Sequence, residues 1–201
     1  MVYRKNIKEK FALVSVFNKN KLRFLCSNLT KNNYKLMSSG STGDKIRSMG
    51  FECVDISKVT KFKEMFDGRV KTLNPLIYSS LLYLRDNENH KKQFLSLKIP
   101  QIDIVIVNLY PFKKYDKIKN INKVIEMIDI GGPSLLRAAS KNFKFVTPII
   151  DTKDYVKLIN NIRKNDGNTD IFFRRKMAYK VFEETSKYDK LISKWFNGIK
   201  K

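Results

Sequence analysis

The sequence predicts an α/β domain in which a parallel sheet is covered by helices on both faces. Short apolar runs of strand length alternate along the chain with segments that have the apolar spacing of helices. One of these runs, residues 102–108, is apolar at nearly every position, as in strands that are buried on both sides. Polar residues, glycines and prolines follow the runs, and ligands of parallel sheets bind at the carboxyl ends of strands.

Five apolar runs are predicted to form the strands, at residues 11–16, 34–37, 51–54, 102–108 and 145–150. The fourth is the clearest, because most of its residues are β-branched, and Pro111 prevents it from continuing. Since strands and helices alternate over much of the chain, the strands are expected to pair in parallel.

Helices are predicted at residues 22–29, 44–49, 75–82, 87–97, around Val124 and Met127, and at 133–141. Pro75 and Pro133 both suit the first turn of a helix. The tail from residue 154 is predicted to form two helices separated by residues 165–168. We expect one domain over residues 1–201, with a core at about 11–150 and a C-terminal helical extension at about 151–197.

Composition excludes several classes of protein. The formal net charge is +22, but most of the cations are dispersed lysines, which indicates solvated faces rather than a specific nucleic-acid interface. A basic nucleic-acid binder stays as an alternative. A single histidine, His90, excludes histidine-rich metal sites, and the two cysteines have no metal or redox spacing, so no metal is expected. No run is long enough to cross a membrane and no signal peptide is evident, so we expect a cytoplasmic protein.

Four loops carry polar or glycine residues next to buried runs, and all four are expected at strand ends: residues 38–43, 67–72, 108–112 and 128–133. In the first loop, Ser39, Gly40, Ser41 and Thr42 can hold a phosphate with hydroxyl and N–H groups at a helix start. A capped turn explains the same residues. Lys19, which follows the first strand, either reaches this phosphate or is a surface lysine.

The second loop combines a glycine with two cations and a hydroxyl. Gly68 permits a positive φ, Arg69 offers a planar set of donors, Lys71 offers a mobile charge and Thr72 adds a hydroxyl. A helix that begins behind this loop would favour an anion at its N-terminus. A basic surface turn is the alternative interpretation.

The fourth loop contains Asp129, between two isoleucines and before the pair Gly131-Gly132. A carboxylate at this position either caps the helix or serves as a base. Tyr110 lies in a Tyr-Pro corner and by default is a half-buried aromatic residue. Lys141 lies near the end of its helix, where a cation interacts favourably with the helix dipole.

Together these stretches resemble the IMP cyclohydrolase family, the N-terminal half of a bifunctional purine-biosynthesis protein. The resemblance is collinear from about residue 11 to 196 and implies a three-layer, methylglyoxal-synthase-like α/β fold that works as an intertwined homodimer. It rests on Lys71-Thr72-Leu73 within residues 67–73, on 108–112, on 128–132, on 136–142, and on Ser15-Val16, Lys19, Ser39-Gly40, Thr42 and Tyr188-Asp189.

The resemblance also implies a reaction without a cofactor. 5-Formamidoimidazole-4-carboxamide ribonucleotide, a purine ribonucleotide precursor, is closed to inosine monophosphate with loss of water. The implied catalytic residues are Lys71 and Lys141, which stabilise charge on the formyl oxygen, Asp129, the base, and Tyr110, its hydrogen-bonding partner or proton relay. The implied substrate- and phosphate-binding residues are Ser15, Lys19, Ser39, Gly40, Ser41, Thr42, Arg69, Val70, Thr72, Asn108, Leu109, Ile130, Gly131 and Gly132.

Five positions depart from the family pattern. Asn74, Tyr78 and Phe143 stand where the family has histidines, Phe17 replaces a serine, and Ser41 replaces a glycine. A positive φ would strain Ser41, and Phe17 could crowd the phosphate. The four implied catalytic residues are intact. No formyltransferase half follows residue 201, so either a separate formyltransferase chain is an expected partner or the sequence is a fragment of a longer protein.

Two other functions remain open. A regulatory nucleotide-binding module of the same fold would keep the phosphate loop, but it would not need all four catalytic residues. A methylglyoxal synthase is compatible with the glycine–serine loop, although its acid–base residues are not recognisable in this sequence.

Overall fold

A computed structural model describes residues 9–116 and 118–199 of the chain. The first eight residues, on which the expectation of no signal peptide rests, lie outside this part. Five strands form a parallel sheet in the order β3-β2-β1-β4-β5. Their bounds are β1 (Lys10–Val16), β2 (Tyr34–Ser38), β3 (Cys53–Asp55), β4 (Ile102–Asn108) and β5 (Thr147–Ile149). The predicted parallel α/β fold is therefore confirmed.

The α-helices in the described residues are α1 (Leu22–Lys31), α2 (Gly40–Ser48), α3 (Ile56–Thr60), α4 (Pro75–Leu82), α5 (Glu88–Ser96), α6 (Ile121–Ile125), α7 (Gly131–Lys141), α8 (Tyr155–Lys164) and α9 (Ile171–Gly198). Two short 3-10 helices cover Phe112–Lys114 and Thr152–Asp154. No helix in these ranges is long and apolar enough to cross a membrane.

Three predicted boundaries were wrong, and backbone hydrogen bonds explain two of them. The third strand begins at Cys53 because Phe51 N bonds back to Ile46 O at 3.3 Å, which keeps Phe51 in the turn that ends α2. The last strand is shortened because Phe145 N and Val146 N both donate to Asn142 O. The second helix begins at Gly40 instead of residue 44, so most of the predicted phosphate loop is helical.

Two apolar layers cover the sheet, because alternate residues of the central strands face opposite sides. On β1, Ala12 and Val14 pack with α1, α2 and α8, whereas Phe11 and Leu13 pack with α4 and α7. All four are 5% exposed or less. Burial on both faces explains why the strand sequences lack the polar alternation of a half-exposed sheet.

The C-terminal helices belong to these layers. Tyr155 and Leu158 of α8 lie in the first, and Val181 of α9 lies in the second. Further along α9, Tyr188 joins Phe112 and Val124 in a third apolar cluster, beside the segment that connects β4 to α7. The long last helix therefore supports the chain segment that carries Tyr110 and Asp129.

Candidate active site

The carboxyl edge of the sheet gathers some, but not all, of the predicted loops at strand ends. Val16 of β1 pairs with Asn108 of β4, and Ser38 of β2 pairs with Asp55 of β3. Loops 38–43 and 108–112 leave β2 and β4 as predicted. The prediction was wrong for 67–72, which lies between α3 and α4, and for 128–133, which lies between α6 and α7.

Gly40 begins α2 with a left-handed φ of +50°, and a Cβ at this position would overlap Lys71 Nζ. A glycine is therefore favoured by the left-handed backbone conformation, whereas the flexible end of the lysine side chain can move aside. Ser41 lies inside α2, and the left-handed φ falls on the residue before it. The serine that replaces a family glycine thus carries no backbone strain.

Thr42 fastens α2 to the central strand. Its hydroxyl accepts a hydrogen bond from Val16 N at 3.2 Å and donates one to Val16 O at 3.1 Å, and the residue is 5% exposed. The hydroxyl of Thr42, which was predicted to bind phosphate, is therefore already hydrogen-bonded to the protein backbone. Ser15 lies half-buried near the end of β1, and Lys19 lies half-buried in the turn where its carbonyl accepts from Leu22 N.

The side chain of Lys71 reaches from the second loop to the start of α2. Its ammonium group forms an ion pair there with Glu64 at 3.1 Å. The same lysine also acts on Asp55 at the end of β3. Burial raises the pKa of Asp55, but hydrogen bonds from Ser57 and the charges of Arg47 and Lys71 outweigh it and lower the pKa below its usual value. The lysine therefore lies beside the predicted phosphate loop.

The neighbours of Lys71 have other partners. Arg69 pairs with Glu126, and both side chains are more than half exposed. The backbone of Val70 bonds in both directions to Met65, which closes residues 66–69 into a tight loop. Thr72 is buried, and its Oγ1 would lie 2.9 Å from a Cβ on Gly131. This contact joins the second loop to the first turn of α7.

Asp129 folds back onto α7. Its Oδ1 accepts a hydrogen bond from Gly132 N at 2.8 Å, and a Cβ on Gly132 would overlap the carboxylate and lie 3.0 Å from Val107 Cγ1. The glycine pair thus admits Thr72 on one side and the carboxylate on the other. Burial raises the pKa of Asp129, and the hydrogen bond from Gly132 N opposes that rise only in part.

Tyr110 lies near this carboxylate. Burial and, second to it, the charge of Asp129 raise the pKa of Tyr110, so its phenol stays protonated at neutral pH. The ring of Phe17 packs edge-on against it, with centroids 5.0 Å apart. The aromatic residue that replaces a family serine therefore contacts a predicted catalytic residue.

Asn108 holds the first and fourth strands together beyond their last paired residues. Its Oδ1 accepts from Asn18 N at 2.7 Å and its Nδ2 donates to Asn18 O at 3.0 Å. Leu109 packs into the second and third apolar clusters, whereas Ile130 is 59% exposed. A cavity of about 300 Å³ opens between this strand end and α9, next to Tyr110.

Lys141 does not join the other predicted catalytic residues within one chain. It is the last residue of α7, ten positions beyond Gly131, which corresponds to about 15 Å along the helix axis. Its side chain is exposed. The expected pairing of Lys71 with Lys141 across the site is therefore absent from the described chain.

The three residues that stand at family histidine positions make structural contacts in this chain. Asn74 caps α4, because its Oδ1 accepts from Leu76 N at 2.9 Å. Tyr78 is partly buried against the second cluster, and the carbonyl of Phe143 accepts from Arg174 Nε at 2.8 Å. Among the described residues, no group of three or more His, Cys, Asp or Glu side chains could hold a metal ion.

Sequence reasoning missed the partners of the site residues. Glu64 and Glu126, which pair with Lys71 and Arg69, are ordinary surface glutamates in the sequence. Tyr188 was named only as part of the family resemblance, and the bond from the backbone of Asp129, 59 residues earlier in the chain, to its hydroxyl was not predicted. No local pattern connects these positions, so only the folded chain reveals them.

The doubly covered parallel sheet, with its candidate site at one carboxyl edge, is the architecture of a known class of domain. The family model described as MGS-like domain matches residues 21–134, more than half of the chain. The chain belongs to this family. A second model, described as AICARFT/IMPCHase bienzyme, matches residues 139–201.

Individual relatives make the similarity more specific. The bifunctional purine biosynthesis protein PurH of Clostridium botulinum (strain Loch Maree / Type A3) is 46% identical over 185 residues, which are 92% of this chain and 37% of that protein. PurH of Magnetococcus marinus is 41% identical over 194 residues, which are 96% of this chain and 36% of that protein. The chain thus spans little more than a third of these relatives. The crystal structure of ForH superposes with a TM-score of 0.82 at 26% identity, over 94% of this chain and 97% of that one.

Proposed function

We propose that the chain is an IMP cyclohydrolase, which closes 5-formamidoimidazole-4-carboxamide ribonucleotide to inosine monophosphate with loss of water. The observation that carries the proposal is the half-buried carboxyl of Asp129, with a raised pKa, which Gly132 N holds at the start of α7 and whose charge acts on Tyr110. A carboxyl in such a position is a candidate general base. The similarity to PurH and to the AICARFT/IMPCHase model supports the same activity.

The substrate phosphate is proposed to bind at the start of α2. Backbone N–H groups of the first helical turn, the hydroxyls of Ser39 and Ser41, and the ammonium group of Lys71 are available there, and Lys19, in the turn after β1, is proposed to reach the same phosphate. Glu64, whose side chain is 55% exposed, would exchange its place on Lys71 for the anion. Arg69, Val70 and Thr72 then serve mainly to position Lys71 and the first turn of α7.

Ring closure needs one proton to leave the carboxamide nitrogen as this nitrogen attacks the formyl carbon. Asp129 accepts that proton while the new N–C bond forms, and the proton then passes to the former formyl oxygen, which becomes a hydroxyl. Tyr110, protonated at neutral pH, donates a hydrogen bond to the oxygen on which charge develops. This hydroxyl leaves with the proton of the former formamido nitrogen, which gives water and the C=N bond that completes the aromatic ring. Because both reacting groups belong to one molecule, positioning supplies much of the acceleration.

The active form is proposed to be a homodimer. Two aromatic side chains on α9, Phe172 and Tyr179, are largely exposed, and a third, Phe182, is 42% exposed. Exposed apolar side chains of this kind indicate an interaction surface. A second copy would also explain Lys141, which lies too far from Asp129 in its own chain to act on the same substrate.

The formyl group of the substrate is proposed to come from a formyltransferase, either as a separate chain or as a further part of a longer protein. The relatives are bifunctional proteins, of which this chain spans little more than a third. We propose cytoplasmic action, no cofactor, no membrane and no specific nucleic-acid partner.

The test is a spectroscopic ring-closure assay of the purified protein with the formamido ribonucleotide. We expect inosine monophosphate to form, with turnover lost in Lys71→Ala. A regulatory module would bind purine nucleotides in calorimetry but would leave the formamido substrate unchanged. That result would contradict the proposed enzyme activity and favour the regulatory binding module.

A further inference from the structure

We propose that Tyr188 is a positioning residue for ring closure, because its hydroxyl fixes the backbone that carries the base Asp129. This inference rests on the proposed function. Tyr188 belongs to α9, outside the loops that carry the candidate site, and its role would give the long C-terminal helix a direct part in activity.

The hydroxyl of Tyr188 bridges two backbone groups that lie two residues apart in the chain. It accepts a hydrogen bond from Asp129 N at 2.8 Å and donates one to Met127 O at 3.2 Å. Both groups precede α7 and have no partner within that helix. A single hydroxyl thus fixes the chain direction immediately before the carboxylate.

The tyrosine itself is held firmly. It is 6% exposed, and its ring packs edge-on against Phe112, with centroids 6.3 Å apart. Val124 completes this part of the third apolar cluster. Burial raises the pKa of Tyr188 to about 12, so the phenol keeps the proton that it donates to Met127 O.

Two hydrogen bonds therefore determine where the carboxylate of Asp129 lies. Tyr188 holds its backbone N, and Gly132 N holds its Oδ1. Without the hydroxyl, the backbone of residues 127–129 would lose both bridge contacts and the carboxylate would shift relative to α7. A small displacement of a catalytic group reduces the rate strongly without a large effect on substrate binding.

The experiment compares Tyr188→Phe with Ser186→Ala in steady-state ring-closure kinetics. Ser186 lies on the same helix but is exposed, so it controls for loss of a hydroxyl from α9. For Tyr188→Phe we expect kcat to fall by about tenfold to a hundredfold while KM changes by less than about twofold. The acid limb of the pH–kcat profile should move to higher pH. The displaced carboxylate of Asp129 would form a weaker hydrogen bond with Gly132 N, and its pKa would therefore rise.

A residue with only a structural role would lower the melting temperature and leave that acid limb in place. The inference is overturned by an unmoved acid limb, by an unchanged kcat, or by a Tyr188→Phe protein that does not fold. A p-aminophenylalanine at position 188, which can still donate to Met127 O, should recover part of the lost kcat. If the wild type itself does not close the ring, the proposed function fails, which is a separate result.

Discussion

Asp129 Oδ1 and Gly132 N are joined by a 2.8 Å hydrogen bond, and no side chain at position 132 could fit beneath the carboxylate. The glycine pair at the start of α7 is thereby explained by the close approach of a functional group. Helix N-termini favour carboxylates, so the first turn of α7 stabilises the charged form that a base needs.

This contact predicts the effect of Gly132→Ala. The added Cβ would displace the carboxylate and press on Val107, so we expect a loss of about 1–3 kcal/mol in stability and more than tenfold in turnover. Chemical denaturation and the ring-closure assay measure the two effects. Gly198→Ala is the control, because nothing lies within 4 Å of its Cβ position. Equal stability and equal turnover of the two variants would show that the Asp129 carboxylate does not need a glycine at position 132.

The pH dependence of turnover reports on Asp129. A base must be unprotonated, so activity is lost as pH falls through its pKa in the folded protein. Since burial raises this pKa, we expect an acid limb centred above the ordinary aspartate value of about 3.9. Rates are measured between neutral and acidic pH, with circular dichroism to confirm folding. As a control, the exposed change Asp44→Asn should leave the acid limb in place. An acid limb at or below the ordinary aspartate pKa would contradict the assignment of Asp129 as the base.

A buried ion pair under α9 predicts a stability effect. The side chain of Asp154 is 2% exposed and pairs with Lys180 and, at 3.0 Å, with Lys157. Lys180→Met would leave the buried carboxylate with one exposed partner, so we expect a loss of about 2 kcal/mol in thermal or chemical unfolding. Lys187→Met, which breaks only exposed pairs, should cost less than about 0.5 kcal/mol. Equal losses would show that burial of Asp154 is unimportant.

The position of Lys141 predicts that two copies share a site. Asp129→Asn and Lys141→Ala should each be inactive alone. If each site combines Asp129 of one chain with Lys141 of the other, random remixing of the two variants should restore about a quarter of the wild-type activity. The assay is run after mild unfolding and refolding of the mixture. Failure to recover activity from mixed dimers, verified by native mass spectrometry, would place both residues in one chain.

The sequence predicted the parts of the fold that depend on local pattern. The strand at Ile102–Asn108 and the helix at Pro75–Leu82 have the predicted bounds, because β-branched burial and an initial proline are strong local signals. The start of α2 was misplaced because a glycine–serine run resembles a loop until the left-handed Gly40 begins a helix. Hydrogen-bond partners such as Val16 for Thr42 and Tyr188 for Asp129 depend on contacts between distant segments, which no local pattern encodes.

The most direct test of the central claim is single-turnover ring closure at saturating formamido ribonucleotide, with wild type and Asp129→Asn compared. The asparagine can still accept the hydrogen bond from Gly132 N, so the fold and substrate binding should be preserved. We expect inosine monophosphate from the wild type and a rate at least about a hundredfold lower from the variant, the loss typical of a missing general base. Equal rates from the two folded proteins would contradict the account.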